Sequence, residues 1–333
     1  MGNLNVLYAC DDNYAPYATV SICSLLENNK NFESVNIYVV LDKVSSDNVA
    51  RMAEQIDLYH ADFIPVDAAP IVEEIMELGL PQYRNSYGTN FRLFFDRFIK
   101  ADVKKLLYLD CDTIVCGELV SLLEYTGGGG SCAYVVQDSL TDRYKFMIGI
   151  SDQECYFNAG VMLIDVEKWK ENQCTQQLIE HIKEERANYC NPDQDLLNIV
   201  LKNRISYIGP EYNFQPIHRM LNSDEYKKIY HISTYYEEQA IEAAKKNPVI
   251  LHTYRFLGEF PWNIDNLHPD TEIFDYYLKK STQREYVKKK ADTGFIMKIE
   301  KTLFRILPGK LFFRIFKMAQ EWSFERQNKK IAG

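Results

Sequence analysis

Leu106-Leu107-Tyr108-Leu109-Asp110-Cys111-Asp112-Thr113-Ile114-Val115-Cys116 is the run on which the reading of the chain turns. Its first four residues are apolar and dense enough for a buried strand, and the run is cut off by two acids. Side chains alternate in direction along an extended chain, so Asp110 and Asp112 share a face and address one centre. Carboxylate oxygens are hard donors that suit Mn2+ or Mg2+, ions that commonly bridge to substrate phosphates. Ligands of open α/β sheets bind beyond the carboxyl ends of the strands, which is where this pair falls. The competing reading is two solvated or capping aspartates in a turn.

Working outward, residues 5–9 form a short apolar strand, followed by Cys10-Asp11-Asp12-Asn13-Tyr14 and a helical pattern over 16–26. Residues 35–41 and 62–66 read as further strands, with a helix capped by Ser45 or Ser46 between them. Helices are expected over 70–78 and 89–99, the second feeding the central strand. Another strand is expected over 132–136, and an apolar run over 161–164 follows the segment 155–160. Helices then lie near Trp169 and over 175–189, and one is opened by Asn191-Pro192-Asp193-Gln194-Asp195, where an early proline and first-turn acids favour a start. A last strand over 249–251 ends in His252. Strands alternating with helices imply an α/β fold with a mostly parallel sheet. No glycine-rich dinucleotide loop or phosphate-loop lysine follows the first strand, and Gly127 to Gly130 read as a turn.

The 333 residues are nearly half apolar, enough for a large core. A net charge of -9 argues against a nucleic-acid binder, which needs a basic surface. That charge is uneven: from Gly294 onward nine basic residues stand against three acidic ones. The eight cysteines are scattered without a CxxC pair, as expected of free buried thiols in a reducing compartment. With no secretory signal pattern and no apolar run of spanning length, the expectation is a cytoplasmic protein.

Five motifs in order resemble glycosyltransferase family 8: Tyr8 to Tyr14 (YACDDNY), Tyr108 to Asp112 (YLDCD), Phe157 to Gly160 (FNAG), Pro192 to Asn198 (PDQDLLN), and His252 followed by Pro261-Trp262. The resemblance implies a GT-A fold over 1–265 and a retaining galactosyl- or glucosyltransferase of cell-surface glycans that uses a UDP-sugar and Mn2+, with Mg2+ as the alternative ion. Carried residue by residue, Asp110, Asp112 and His252 would ligate the metal. Ala9, Asp11, Asn13 and Tyr14 would contact the nucleoside, and Arg92 would lie near the donor. Asn158, Ala159 and Gly160 would hold the donor with Asp193, Asp138 and Gln194, the last beside the anomeric carbon. The bland alternatives are a helix cap for Asp11 and Asn13 and a solvated helix arginine for Arg92. Glutamine is a poor nucleophile, so front-face substitution is favoured over a covalent intermediate, the carboxylate-pair route of many glycosidases.

One departure concerns the family's Lys or Arg before Pro-Trp, replaced here by Phe260 with Glu259 ahead of it. Arg255 is the candidate for the missing charge. Residues 266–333 read as a helical, basic-aromatic segment. Phe295, Ile299, Leu303, Ile306 and Leu307 recur at helical spacing, with Lys298, Lys301 and Arg305 opposite. After Pro308-Gly309 the pattern repeats, with Leu311, Phe312, Ile315 and Phe316 against Lys310, Arg314 and Lys317. That composition fits a helix pair resting on the inner membrane surface; the alternative is packing on the catalytic domain. The expected partners are a UDP-hexose and a glycan or glycolipid acceptor, without nucleic acid. The rival function is a non-catalytic nucleotide-sugar-binding or membrane scaffold protein.

Overall fold

The structure is a computed structural model that describes residues 2–332, except 83–85, 127–129, 139, 186–188 and 292–293. Strands β1 (Asn3–Asp11), β2 (Ser34–Asp42) and β3 (Asp62–Asp67) alternate with helices α1 (Ala15–Asn28) and α2 (Ser46–Asp57), and each strand is parallel to the last. Ser45 caps α2 by accepting the Asn48 N–H, and Pro16 sits in the first turn of α1, where its missing N–H costs nothing. Helix α3 (Ala69–Glu77) and a 3-10 segment (Gly88–Arg97) lead into β4 (Lys105–Leu109), which joins β1 in parallel.

Next come β5 (Thr113–Val115), α4 (Val120–Leu123), β6 (Ala133–Gln137), α5 (Asp142–Met147), β7 (Phe157–Asp165), α6 (Val166–Glu171), α7 (Cys174–Glu185), α8 (Pro192–Leu201) and β8 (Ile205–Tyr207). Two short 3-10 turns precede α9 (Ser223–Tyr230), α10 (Glu238–Lys246), β9 (Ile250–His252), α11 (Thr271–Lys280), α12 (Phe295–Ile306) and α13 (Gly309–Ala332). The main sheet has the order β3-β2-β1-β4-β7-β6-β8, parallel except at β7, which runs against both β4 and β6. The mostly parallel α/β architecture is as the strand–helix alternation implies.

Side chains alternate across the sheet. Leu7, Leu106 and Tyr108 join Phe91, Trp169 and Leu197 on one face, while Val6, Tyr8, Leu107 and Leu109 pack on Ile22 and Leu25 of α1 on the other. Helix α11 is seated on α1, where Tyr277 Oη accepts from Asn28 Nδ2 at 2.7 Å and Lys280 pairs with Glu27 at 2.9 Å.

Several expectations need correction. Residues 89–99 do not form an α-helix: the segment is 3-10, with Phe94 outside helical geometry. Phe91, Leu93, Phe94 and Phe95 are all buried, and the tighter winding also turns Asn90 and Arg92 inward. Of the helix expected over 175–189, Cys174–Glu185 is helical; residues 186–188 of its span lie outside the described residues, as do Gly127, Gly128 and Gly129. The two tail helices form, and the apolar stripe of each is divided: Leu303, Leu307, Phe312 and Phe316 pack on the body, while Lys298, Arg305, Lys310 and Arg314 are exposed as expected. Met297, Lys301 and Phe304 of α12 face the protein, while Phe295, Ile296, Ile299 and Ile306 are exposed. On α13, Phe312, Phe313 and Lys317 are buried; Lys317 therefore does not lie on a solvent face, and its ammonium sits 4.3 Å from the Tyr230 ring centroid. Helical spacing defines a stripe, but the position of the body decides which stripe is covered.

Candidate active site

The end of β4 places Asp110 and Asp112, and the register of a two-stranded ribbon adds the third group. β5 begins one residue after Asp112 and pairs antiparallel with β9, so Thr113 lies opposite His252. One ligand atom from each of Asp110, Asp112 and His252 falls within 4.8 Å of the others. His252 Nε2 is 3.2 Å from Asp112 Oδ1 and 3.8 Å from Asp110 Oδ2. Burial opposes a charge on His252, but Asp112 and then Asp110 outweigh it and raise the imidazole pKa. Burial likewise pushes the Asp112 carboxyl up, and His252, with a backbone hydrogen bond and Arg92, brings it below its ordinary value. Two carboxylates and one imidazole fit a divalent ion of the Mn2+ type.

Gly160 makes room for this group. Its N–H donates to Asn158 Oδ1 at 2.9 Å, and a Cβ there would overlap the His252 imidazole and come within 2.8 Å of Asp110 Oδ2. Its carbonyl accepts the Asp110 N–H at 2.8 Å, tying β7 to the acid turn.

Behind the imidazole a chain of amides runs to a carboxylate. Asp138 Oδ2 accepts from Asn158 Nδ2 at 3.1 Å, Asn158 Oδ1 accepts from Asn213 Nδ2 at 2.9 Å, and Asn213 Oδ1 faces His252 Nδ1 at 3.1 Å. Asp138 Oδ2 also accepts from Gln194 Nε2 at 2.7 Å, and Gln194 Oε1 accepts the Ala159 N–H at 3.0 Å. Asp138, Asn158, Ala159, Gly160 and Gln194 therefore lie together in one hydrogen-bonded group.

Arg92 is a buried node rather than a solvated helix arginine. It is 3% exposed, with Nη2 2.8 Å from Asp110 Oδ1, Nε 3.2 Å from Asp193 Oδ2, and its guanidinium 4.3 Å from the Tyr108 ring centroid. It also donates to the carbonyls of Thr89 and Ala159. Burial raises the Asp193 pKa against the pull of Arg92.

Helix α8, which carries Asp193 and Gln194, is anchored by Asp195. That carboxylate accepts the Tyr144 and Tyr156 hydroxyls at 2.5 Å each and the Asn191 N–H at 3.0 Å, and burial pushes its pKa up to about 6. On the β1 side, Asp11 Oδ1 accepts the N–H groups of Asn13 and Tyr14 at 3.0 Å each, so Asp11 builds a side-chain turn. Asn13 is exposed and Tyr14 lies edge-on to Trp262 at 6.4 Å. Ala9, near the end of β1, accepts a hydrogen bond from Cys111 through its carbonyl. Arg255 lies over the Phe260 ring at 5.2 Å. The motif reading did not single out Asn213, Tyr144 or Tyr156; Asn213 has no spacing signal, whereas Asp195 stands inside a quoted motif.

Residues 5–264 match the model of Glycosyl transferase family 8. The chain belongs to this family and is a glycosyltransferase. It is 27% identical over 297 residues to Lipopolysaccharide 1,2-glucosyltransferase of Escherichia coli (strain K12), covering 85% of this chain and 79% of the relative. It is 26% identical over 278 residues to General stress protein A of Bacillus subtilis (strain 168), covering 83% and 93%. The crystal structure of galactosyltransferase LgtC in complex with donor and acceptor sugar analogs superposes with a TM-score of 0.67 at 25% identity, over 84% of this chain and 96% of that one. The fold is accordingly GT-A. No helix among the described residues is long and apolar enough to cross a membrane.

Proposed function

We propose that the protein is a retaining transferase that moves galactose or glucose from a UDP-sugar to a cell-surface glycan or lipid-linked acceptor. The observation that carries this reading is the convergence of Asp110, Asp112 and His252 within 4.8 Å beside the Gln194–Asp138 pair. Asp110, Asp112 and His252 would hold Mn2+, or Mg2+ in its place, and a bound ion would offset charge building on the diphosphate as the glycosidic bond breaks. Ala9, Asp11, Asn13 and Tyr14 form the nucleoside side, with the Tyr14 ring available to lie against a base. Asn158, Ala159, Gly160, Asp138 and Asp193 hold the hexose, and Arg92, paired with both Asp110 and Asp193, keeps the two carboxylates in place. Gln194, hydrogen-bonded at both ends of its amide, is a positioning group and a poor nucleophile, which supports front-face substitution.

The helix pair α12–α13 supports peripheral attachment to the cytoplasmic face of a membrane. Its uncovered side carries Ile299, Ile306, Leu311, Ile315, Met318 and Trp322, all exposed, together with exposed Lys298, Arg305, Lys310 and Arg314. Apolar side chains among basic ones match an anionic lipid surface. In liposome flotation the protein is expected to float with anionic vesicles; unchanged flotation after removing residues 296–333 would discard this attachment.

The deciding experiment is UDP release from UDP-glucose and UDP-galactose separately, with Mn2+ or EDTA, for wild type and Asp112→Asn. Metal-dependent release from one sugar, lost in the variant, is the expected result and names the donor. Release that is indifferent to EDTA and to Asp112→Asn overturns the reading.

A further inference from the structure

The segment from His252 to Trp262 touches the candidate donor site at both ends. His252 belongs to the acid cluster, and Trp262 stacks on Tyr17 at 3.8 Å and stands edge-on to Tyr14. Its first step is locked: the N–H and Oγ1 of Thr253 both donate to the Asp112 carbonyl, at 2.7 and 2.8 Å. Its tip is a tight turn in which Phe256 and Glu259 exchange backbone hydrogen bonds at 2.8 and 3.1 Å. Both central residues are left-handed, Leu257 at φ 49° and Gly258 at φ 78°. Glycine adopts this freely, but leucine does so at a cost, so tertiary contacts must hold the turn.

Phe313 of α13 and His268 stand against the Phe256 ring, and one face of α12 meets three residues of the turn. Phe304 stands edge-on to Phe256 at 5.7 Å, and Lys301 Nζ is 2.7 Å from Glu259 Oε1. Met297 fills the space where Gly258 lacks a side chain, so closely that a Cβ would overlap its sulfur. Positions 297, 301 and 304 lie on one helix face, and each meets a different residue of the turn. Glu259 is only 3% exposed, and an ammonium brought from a distant helix is what makes its charge tolerable there. Lys301 therefore brings a cation from the tail to this loop, and it is committed to Glu259.

We propose that α12 is a positioning element of the donor site: Met297 and Lys301, acting through Gly258 and Glu259, hold the His252–Trp262 segment in the conformation that binds the metal–diphosphate end of the donor. This rests on the donor-site reading above. The tail is then part of the site's architecture, independent of any lipid contact.

The test uses the full chain in detergent-free buffer without vesicles. Mn2+ affinity, UDP affinity with Mn2+, and kcat and KM for the donor are measured for wild type, Lys301→Met, Lys301→Arg and Met297→Ala, with urea midpoints to establish folding. Met297→Ala keeps the ion pair, so it remains informative if Lys301→Met does not fold. Lys301→Met and Met297→Ala are expected to raise donor KM and UDP Kd about tenfold, since small misplacements of binding groups are costly, with kcat within about twofold. Lys301→Arg is expected to recover most of the loss. Folded Lys301→Met and Met297→Ala with wild-type donor KM and UDP affinity would overturn the inference alone. A wild type that binds neither Mn2+ nor UDP would overturn the donor-site reading and this inference with it.

Discussion

Asn213 sets the face that His252 presents: its Oδ1 lies 3.1 Å from His252 Nδ1, while Nε2 of the same ring looks at Asp112 from 3.2 Å. The orientation of the Asn213 amide is dictated by Asn158, whose own Nδ2 is committed to the Asp138 carboxylate. With only an acceptor before it, Nδ1 carries the proton and the Nε2 lone pair is left for an ion. Asn213→Leu removes the acceptor and is expected to weaken Mn2+ binding by about 10- to 100-fold, the usual range for a partner behind a metal-binding histidine. Calorimetric titration of Mn2+ into the apo protein checks this, and unchanged affinity would show that Asn213 does not govern the imidazole.

Gly160 is defined by what stands against it. A methyl group at this position overlaps His252 and crowds Asp110 Oδ2 at 2.8 Å, so Gly160→Ala must push a candidate ligand aside. The expected outcome is a folded protein, by far-UV circular dichroism, whose Mn2+ binding and UDP release are both lost. Retention of either would mean that the imidazole yields without consequence.

How legible this site was depends on the kind of signal each residue leaves. Asp110 and Asp112 announce themselves by cutting off an apolar strand, and His252 by ending one, so their approach through the Thr113–His252 pairing follows the motif reading. Asn213 sits in a 3-10 turn between stretches without period, and its role comes entirely from contacts with residues 39 and 55 positions away. Arg92 was visible through the family resemblance, yet its depth was not, because a 3-10 winding of Gly88–Arg97 is what turns it inward. The tail shows the same limit. Its helices and their termination at Pro308 can be read from spacing, but the covered side of α12 depends on a turn at residues 256–259 that lies far away in sequence.

Arg92 bridges two acids that are otherwise close neighbours with like charge. Replacing it with Met leaves Asp110 and Asp193 facing each other, with Asp193 buried. Loss of one partner from a buried ion pair costs about 3–5 kcal/mol, so the urea midpoint of Arg92→Met should fall well below that of wild type. Because Mn2+ at Asp110 would return positive charge to one of these acids, the deficit should narrow when saturating Mn2+ is present in the titration. A deficit of the same size with and without Mn2+ would separate the arginine's role from the ion's.

Lys317 bears a cost that can be read as a function of pH. It is 3% exposed, donates to Gln320 Oε1 at 2.9 Å and lies over Tyr230, and burial pushes its pKa down to about 8 although Glu321 and Asp138 pull it upward. In the unfolded chain the group titrates near its ordinary 10.5. Below about pH 8 both states carry the proton and the penalty for burying it is complete. Between about pH 8 and 10.5 the unfolded chain binds more protons, so stability rises with pH, and above that range the penalty has gone. Lys317→Met keeps the length of the side chain and removes the charge, so at pH 7 it should stabilise the protein by about 3 kcal/mol. The gain should shrink progressively from pH 8 upward. Urea unfolding of both proteins at pH 7, 8.5 and 10 measures the difference directly; no gain at pH 7, or one that does not fall with pH, would mean that the ammonium is better satisfied in its place than its burial implies.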